Sequence, residues 1–181
     1  VKRHGNKFYF VVNNSGKVVV TDTNLNLISE ITGFNSPRYM EFFGDKAFVT
    51  DLKQKAVYVV DLVSNQIINQ IPTQGWTEHI IIHNNKLYVM DRGDYLTNST
   101  QNFLYIINPT TLIKEDSIQV GINPNSMVLD INLKLWILTS GYSGIENGRF
   151  QRIDLDSNKI DFTYIFNSST DKPSRLTYDF D

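Results

Sequence analysis

Apolar residues fall in short blocks of four to six along the whole chain, and Asn, Gly, Asp and Ser interrupt them at close intervals. No window keeps the 3.6-residue apolar period over the length of a helix, so the blocks read as strands. The blocks repeat. Gly5-Asn6-Lys7-Phe8-Tyr9-Phe10 returns as Gly44-Asp45-Lys46-Ala47-Phe48-Val49, as Asn84-Asn85-Lys86-Leu87-Tyr88-Val89 and as Asn132-Leu133-Lys134-Leu135-Trp136-Ile137. Anchored on the lysines, the steps are 39, 40 and 48 residues. A second series drifts with the first: Val18–Asp22, Val57–Asp61, Leu104–Asn108 and Phe150–Asp154.

The second repeat predicts strand a over Tyr39–Phe43, b over Lys46–Thr50, c over Val57–Asp61 and d over Gln66–Ile71. Gly44-Asp45 is a two-residue hairpin signal. Strand c is nearly all apolar in the first three repeats, so it needs cover on both faces. Four-stranded units recurring every 40–50 residues meet that need by stacking around an axis, which defines an all-β fold, the β-propeller. A flat sandwich would not demand so regular a recurrence. The tally assigns strands b–d of a first blade to residues 5–34, whole blades to 35–74, 75–122 and 123–170, and a lone strand a to 171–181, where Arg175–Phe180 forms it. Such a chain is expected to belong to a ring of six to eight blades. Two copies closing head to tail into an eight-bladed ring, through self-association of the unpaired end strands, is the alternative.

Composition narrows the function. The 181 residues hold 17 Lys and Arg against 19 Asp and Glu, a net charge of -2, with no cluster of bases, which argues against nucleic acid as a partner. With no Cys there is no disulfide, no thiol nucleophile and no Cys-ligated metal. Phosphate-cradling Gly-rich loops, a nucleophile elbow, a zinc-protease helix and EF-hand loops are all missing from the sequence. No cofactor and no metal site are therefore expected.

In this architecture the d–a and b–c connections share one face of the ring. The b–c segments Asp91–Asn102 and Ser140–Gly148 are long, and they carry Arg92, Asp94, Tyr95, Tyr142 and Glu146. Long loops on one face of a rigid scaffold are where binding residues concentrate, although tolerated surface insertions look the same. Strand a starts beside the axis. Aligned on Met40, Ile80, Met127 and Leu176, the preceding residues are Tyr39, His79, Ser126 and Arg175, and one step earlier stand Arg38, Glu78, Asn125 and Ser174. Residues that differ in charge at equivalent positions fit a polar site shared by several blades better than a uniform core. Trp76, in the loop before Glu78, is placed to stack on a flat ligand or to cover a blade seam. Trp136, amid Leu135, Ile137 and Leu138, is expected in the core. Asp22, Asp61, Asn108 and Asp154 are expected to brace the c–d turns.

Several segments resemble the YncE-like bacterial β-propellers: Val11–Lys17, Ser36-Pro37-Arg38-Tyr39, Gly75-Trp76-Thr77-Glu78, Asn123–Asp130 and Pro173–Thr177. The nearest likeness is to the surface-exposed branch that includes lipoproteins capturing vitamin B12 for an outer-membrane transporter. That resemblance covers essentially the whole chain. It implies a parent of seven or eight blades, with a lipoprotein signal and further strands upstream of Val1, placed at the cell surface or in the periplasm. It also implies a non-catalytic binder of a small polar or amphipathic ligand, with a corrinoid as the first candidate. Arg38, Glu78 and Asn125 would bond that ligand, and Trp76, Tyr95 and Tyr142 would pack on it. Two rivals stand beside this reading. One is a metal-dependent lactonase or lyase, for which Glu78 and Asn125 fit two ligand positions. The other is a protein-interaction platform on the same face.

Overall fold

The computed structural model describes residues 1–94, 102–168 and 170–178. Among the described residues sixteen strands form four sheets of four, each antiparallel and each in simple chain order. Blade 1 comprises β1 (Lys2–His4), β2 (Lys7–Val12), β3 (Lys17–Asp22) and β4 (Leu27–Thr32). Blade 2 comprises β5 (Pro37–Phe43), β6 (Lys46–Asp51), β7 (Ala56–Asp61) and β8 (Gln66–Pro72). Blade 3 comprises β9 (Thr77–His83), β10 (Lys86–Asp91), β11 (Asn102–Ile107) and β12 (Lys114–Val120). Blade 4 comprises β13 (Pro124–Leu129), β14 (Leu135–Thr139), β15 (Arg149–Asp154) and β16 (Lys159–Ile165). These are propeller blades, as the repeat predicts.

The strand allocation differs from the expected one at both ends. Blade 1 has its own strand a, because Lys2, Arg3 and His4 pair with Tyr9, Phe8 and Lys7. Backbone pairing, not apolar alternation, makes this strand, since all three residues are polar. Conversely, residues 170–178 form no strand, and among the described residues no strand pairs with them. The remainder of the expected Arg175–Phe180 strand lies outside the described residues.

The turns hold the backbone states their residues favour. At the a–b turns Gly5, Gly44, Asn84 and Asn85 have positive φ, the left-handed state that the tight hairpin demands. Each c–d turn places one residue there too: Leu25, Asn65, Leu112 and Asn158. The Asp22 carboxylate accepts from the N–H groups of Asn24 and Asn26, and Asp61 accepts from those of Val63 and Ser64. Asn108 and Asp154 do the same in blades 3 and 4, so these four residues brace turns as expected.

The core is a stack of seams. Alternate residues of each strand face opposite sides of the sheet. Tyr9, Val18, Val20 and Ile31 of blade 1 meet Met40, Ala47, Val49, Tyr58 and Val60 of blade 2. Phe48, Val57, Val59 and Ile71 then meet Ile80, Leu87, Val89, Tyr105 and Ile107. Tyr88, Met90, Leu104, Ile106 and Val120 meet Met127, Leu135, Ile137 and Ile153. Among the described residues no hydrophobic cluster joins blade 4 to blade 1. Trp136 departs from its expected core position. It is half-buried and lies on the face of β14 opposite Leu135 and Ile137, which face blade 3.

Candidate functional site

The loops at the axial mouth are held by carboxylates that end the b strands. Asp51, fully buried, accepts from the N–H groups of Asn35, Ser36 and Lys53. Asp91 accepts from those of Gly75 and Gly93, each at 2.7 Å, and burial pushes its carboxyl above the usual carboxylate range. Gly75 is required there, since a Cβ would stand 2.2 Å from Asp91 Oδ1. In blade 4 the equivalent position is Thr139, which has no carboxylate. Glu146 replaces it from the long b–c loop, accepting from the Ile122 N–H at 2.6 Å and pairing with Arg149 at 2.8 Å. The loop-bracing role of these carboxylates is not read from the sequence, although Asp51 and Asp91 end matching Lys-to-Asp segments and Glu146 stands among the long-loop residues.

On this frame the starts of β5 and β9 lie side by side. Glu78, only 2% exposed, accepts from Arg38 Nε at 2.8 Å and Nη2 at 2.5 Å, and from Arg92 Nη1 at 3.1 Å. One carboxylate from blade 3 thus aligns two guanidinium groups, one from each of two blades. Arg38 bonds through its Nε edge and stays one-third exposed, so donors on its far side remain directed away from the carboxylate.

Beside this cluster Tyr39 stacks on His79, with ring centroids 4.1 Å apart and planes inclined by 21°. His79 Nδ1 accepts from the Met127 N–H at 3.2 Å, which fixes the ring as neutral with its proton on Nε2. Burial, reinforced by the charges of Lys2 and Arg38, lowers its pKa to about 4. Lys2 also pairs with Glu41, whose carboxyl burial pushes upward and Lys2 partly restores. Lys2 and Glu41 were not foreseen. Glu41 is nonetheless the single charge within the Tyr39–Phe43 strand.

The other predicted residues are placed as follows. Trp76 is half-buried, and its backbone bonds Gly93 O and the Arg92 N–H, tying the Trp76 loop to the loop that carries Arg92. Asn125 donates to Pro173 O at 2.8 Å, and Ser126 Oγ accepts from the Leu176 N–H at 2.9 Å, so both are engaged by the segment after β16. Asn125 Oδ1 is buried without a partner among the described residues. Arg175 is exposed. Tyr142 is 49% exposed and starts a tight turn closed by its bridge to Glu146. Asp94 is buried and pairs with Lys55 at 2.6 Å. Tyr95 lies outside the described residues. Arg38, Tyr39, Glu78, His79 and Arg92 form one contiguous group, while Asn125 and Ser126 belong to the docking of the chain's own last segment.

No protein-family model matches the chain, and no curated protein does. Solved structures do match. Hydrazine synthase of Kuenenia stuttgartiensis superposes with a TM-score of 0.78 at 18% identity, over 90% of this chain and 46% of that one. The Dos1 propeller gives 0.70 at 12% identity, over 93% and 46%. Dihydro-heme d1 dehydrogenase NirN, in complex with DHE, gives 0.70 at 10% identity, over 90% and 36%. These likenesses show the propeller fold. The chain spans less than half the length of each of the three.

Proposed function

We propose that the protein is a non-catalytic binding module that holds a small ligand with an anionic or amide-rich periphery at the axial mouth. The observation that carries this reading is the Arg38–Glu78–Arg92 cluster, in which a buried carboxylate pre-orients two cations from different blades. Pre-orientation lowers the entropy that a binding site loses on taking its ligand. Guanidinium groups suit phosphate and carboxylate oxygens, and the Tyr39–His79 stack offers an apolar wall beside them. A corrinoid is the first candidate. Its side-chain amides and nucleotide phosphate match this mixture, and the resemblance to surface-exposed propellers points the same way. In that setting the protein would work at the cell surface or in the periplasm and pass its ligand to an outer-membrane transporter.

The lactonase alternative needs Glu78 as a metal ligand, yet both oxygens of Glu78 are bonded by guanidinium groups that would repel a divalent cation. Calorimetric titration with cyanocobalamin, citrate and a lactone tests the proposal. Binding of cyanocobalamin that weakens roughly ten- to hundredfold in Arg38→Ala supports it. Binding that is unchanged in Arg38→Ala, or metal-dependent lactone turnover lost in Glu78→Gln, overturns it.

A further inference from the structure

The three seams between blades are finished differently at their outer rim. Between blades 3 and 4 the positive-φ residue of the c–d turn, Asn158, donates from Nδ2 to Asp116 Oδ2 of β12 at 3.2 Å. Between blades 2 and 3 that turn position is Leu112, which packs on the buried cluster the two blades share. Between blades 1 and 2 it is Asn65, and the residue opposite is Ser29, which pairs with Val20 as Asp116 pairs with Ile106. These two do not close the seam. Asn65 Oδ1 and Ser29 Oγ are both buried with no hydrogen-bond partner.

Here β4 and β8 part to leave a groove of about 650 Å³, inside the range of about 300–1,000 Å³ usual for small-molecule sites. Tyr58 lines it at only 3% exposure, with its ring edge-on to Phe34. Among the described residues no group bonds the Tyr58 hydroxyl. A buried tyrosine hydroxyl ordinarily has a partner. Tyr105, at the same place in blade 3, bonds Asp91 and accepts from the Gln74 N–H at 3.4 Å. Burial, with the charge of Asp51, raises the pKa of Tyr58, so it stays a neutral phenol.

The lining sets the chemistry of the occupant. Glu30 is its one charged residue and is paired with Lys17 at 2.6 Å, so the groove offers an ion no free counter-charge. It offers instead the hydroxyls of Ser29 and Tyr58 and the carboxamides of Asn65 and Gln70, which donate and accept. Ile31 and Ile67 are the apolar side chains among them, too few to seat the side chains of an apolar peptide. A sugar matches this mixture, because its hydroxyls both donate and accept and its C–H faces suit the isoleucines. We propose that the groove between β4 and β8 is a second binding site, which takes a neutral saccharide. The inference is independent of the ligand reading at the mouth, since no residue of the Arg38–Glu78–Arg92 cluster lines the groove.

Nuclear magnetic resonance titration of the isotope-labelled chain with maltotriose, cellotriose and triacetylchitotriose at millimolar concentration tests the proposal. At least one of these sugars should shift the amide signals of Asn65, Gln66 and Gln70. Tyr58→Phe removes one hydroxyl and should weaken binding about three- to tenfold with the melting temperature unchanged. Asn65→Leu copies the residue that fills the seam between blades 2 and 3. Leu25 and Leu112 already hold positive φ at this turn position, so the variant should fold, and it should abolish binding. Arg38→Ala should bind the sugar as the wild type does. The proposal is overturned if no sugar shifts these signals, or if affinity is unchanged in Tyr58→Phe or in Asn65→Leu. It is equally overturned if a capped neutral peptide of Ser and Asn shifts the signals and the sugars do not.

Discussion

The main-chain N–H of Met127 donates to Nδ1 of His79 across the seam between blades 3 and 4, at 3.2 Å. Only a neutral imidazole can accept it, and burial with the nearby charges of Lys2 and Arg38 holds the ring neutral by lowering its pKa to about 4. An unfolded chain would protonate this residue near the usual 6.5. The folded state thus binds fewer protons between those values. The contribution of His79 to stability is complete above about pH 6.5 and is lost as the pH falls from there through 4. The full loss is up to about 3 kcal/mol. Urea unfolding at pH 7 and pH 4.5 should show the difference, and His79→Asn, which keeps an acceptor that does not titrate, should flatten it. An equal pH slope in both proteins would rule His79 out as the cause.

The blades were legible in the sequence because the signals that make them are local. The lysine-anchored strand b, the apolar strand c and the turn-bracing Asp61 recur within each repeat and need no knowledge of neighbours. β1 escaped recognition because Lys2, Arg3 and His4 lack the apolar alternation that marks a half-buried strand. The mouth was half legible. Arg38 and Glu78 stood out as unlike residues at like positions, yet their pairing joins residues 40 apart in the chain and depends on how two blades stack. The same limit hid the role of Glu146, whose partner Ile122 lies 24 residues away in the preceding loop.

Asp91 and Gly75 should behave as one structural unit. Asp91→Ala strands the buried N–H groups of Gly75 and Gly93, each costing about 1–3 kcal/mol. Gly75→Ala pushes a methyl group to 2.6 Å from the Gly93 backbone and into Asp91, so it should lose a comparable amount. Because both changes break the same contacts, the double variant should lose less than their sum. Additive losses in thermal unfolding would show that the two act separately.

Glu146 offers a contrast between charge and acceptor. Glu146→Gln keeps an oxygen for the Ile122 N–H and loses only the ion pair with Arg149, which is partly exposed and worth at most about 1 kcal/mol. Glu146→Ala removes the acceptor too and should cost about 1–3 kcal/mol. Equal destabilisation by the two variants, measured by denaturant titration, would mean that the ion pair and not the loop contact matters.

The last prediction separates the two sides of the mouth cluster. A polar residue at the start of a strand ordinarily contributes little to melting, and Glu78 stands at such a start. Its 2% exposure and its two guanidinium partners reverse that expectation. Glu78→Gln removes the carboxylate charge that Arg38 and Arg92 share, and the loss should be about 1–3 kcal/mol. Arg38→Ala removes one of the two cations while Arg92 still serves Glu78, so it should cost less, about 0.5–1.5 kcal/mol. The order inverts for binding. On the proposed reading Arg38→Ala would delete a ligand contact outright, whereas Glu78→Gln would leave both cations present and only loosen their alignment. Thermal melts and cyanocobalamin titrations on the two variants should therefore rank them oppositely. If Glu78→Gln melts with the wild type, the carboxylate is not what positions the arginines. If Arg38→Ala binds as tightly as Glu78→Gln, the mouth arginine is not the ligand contact.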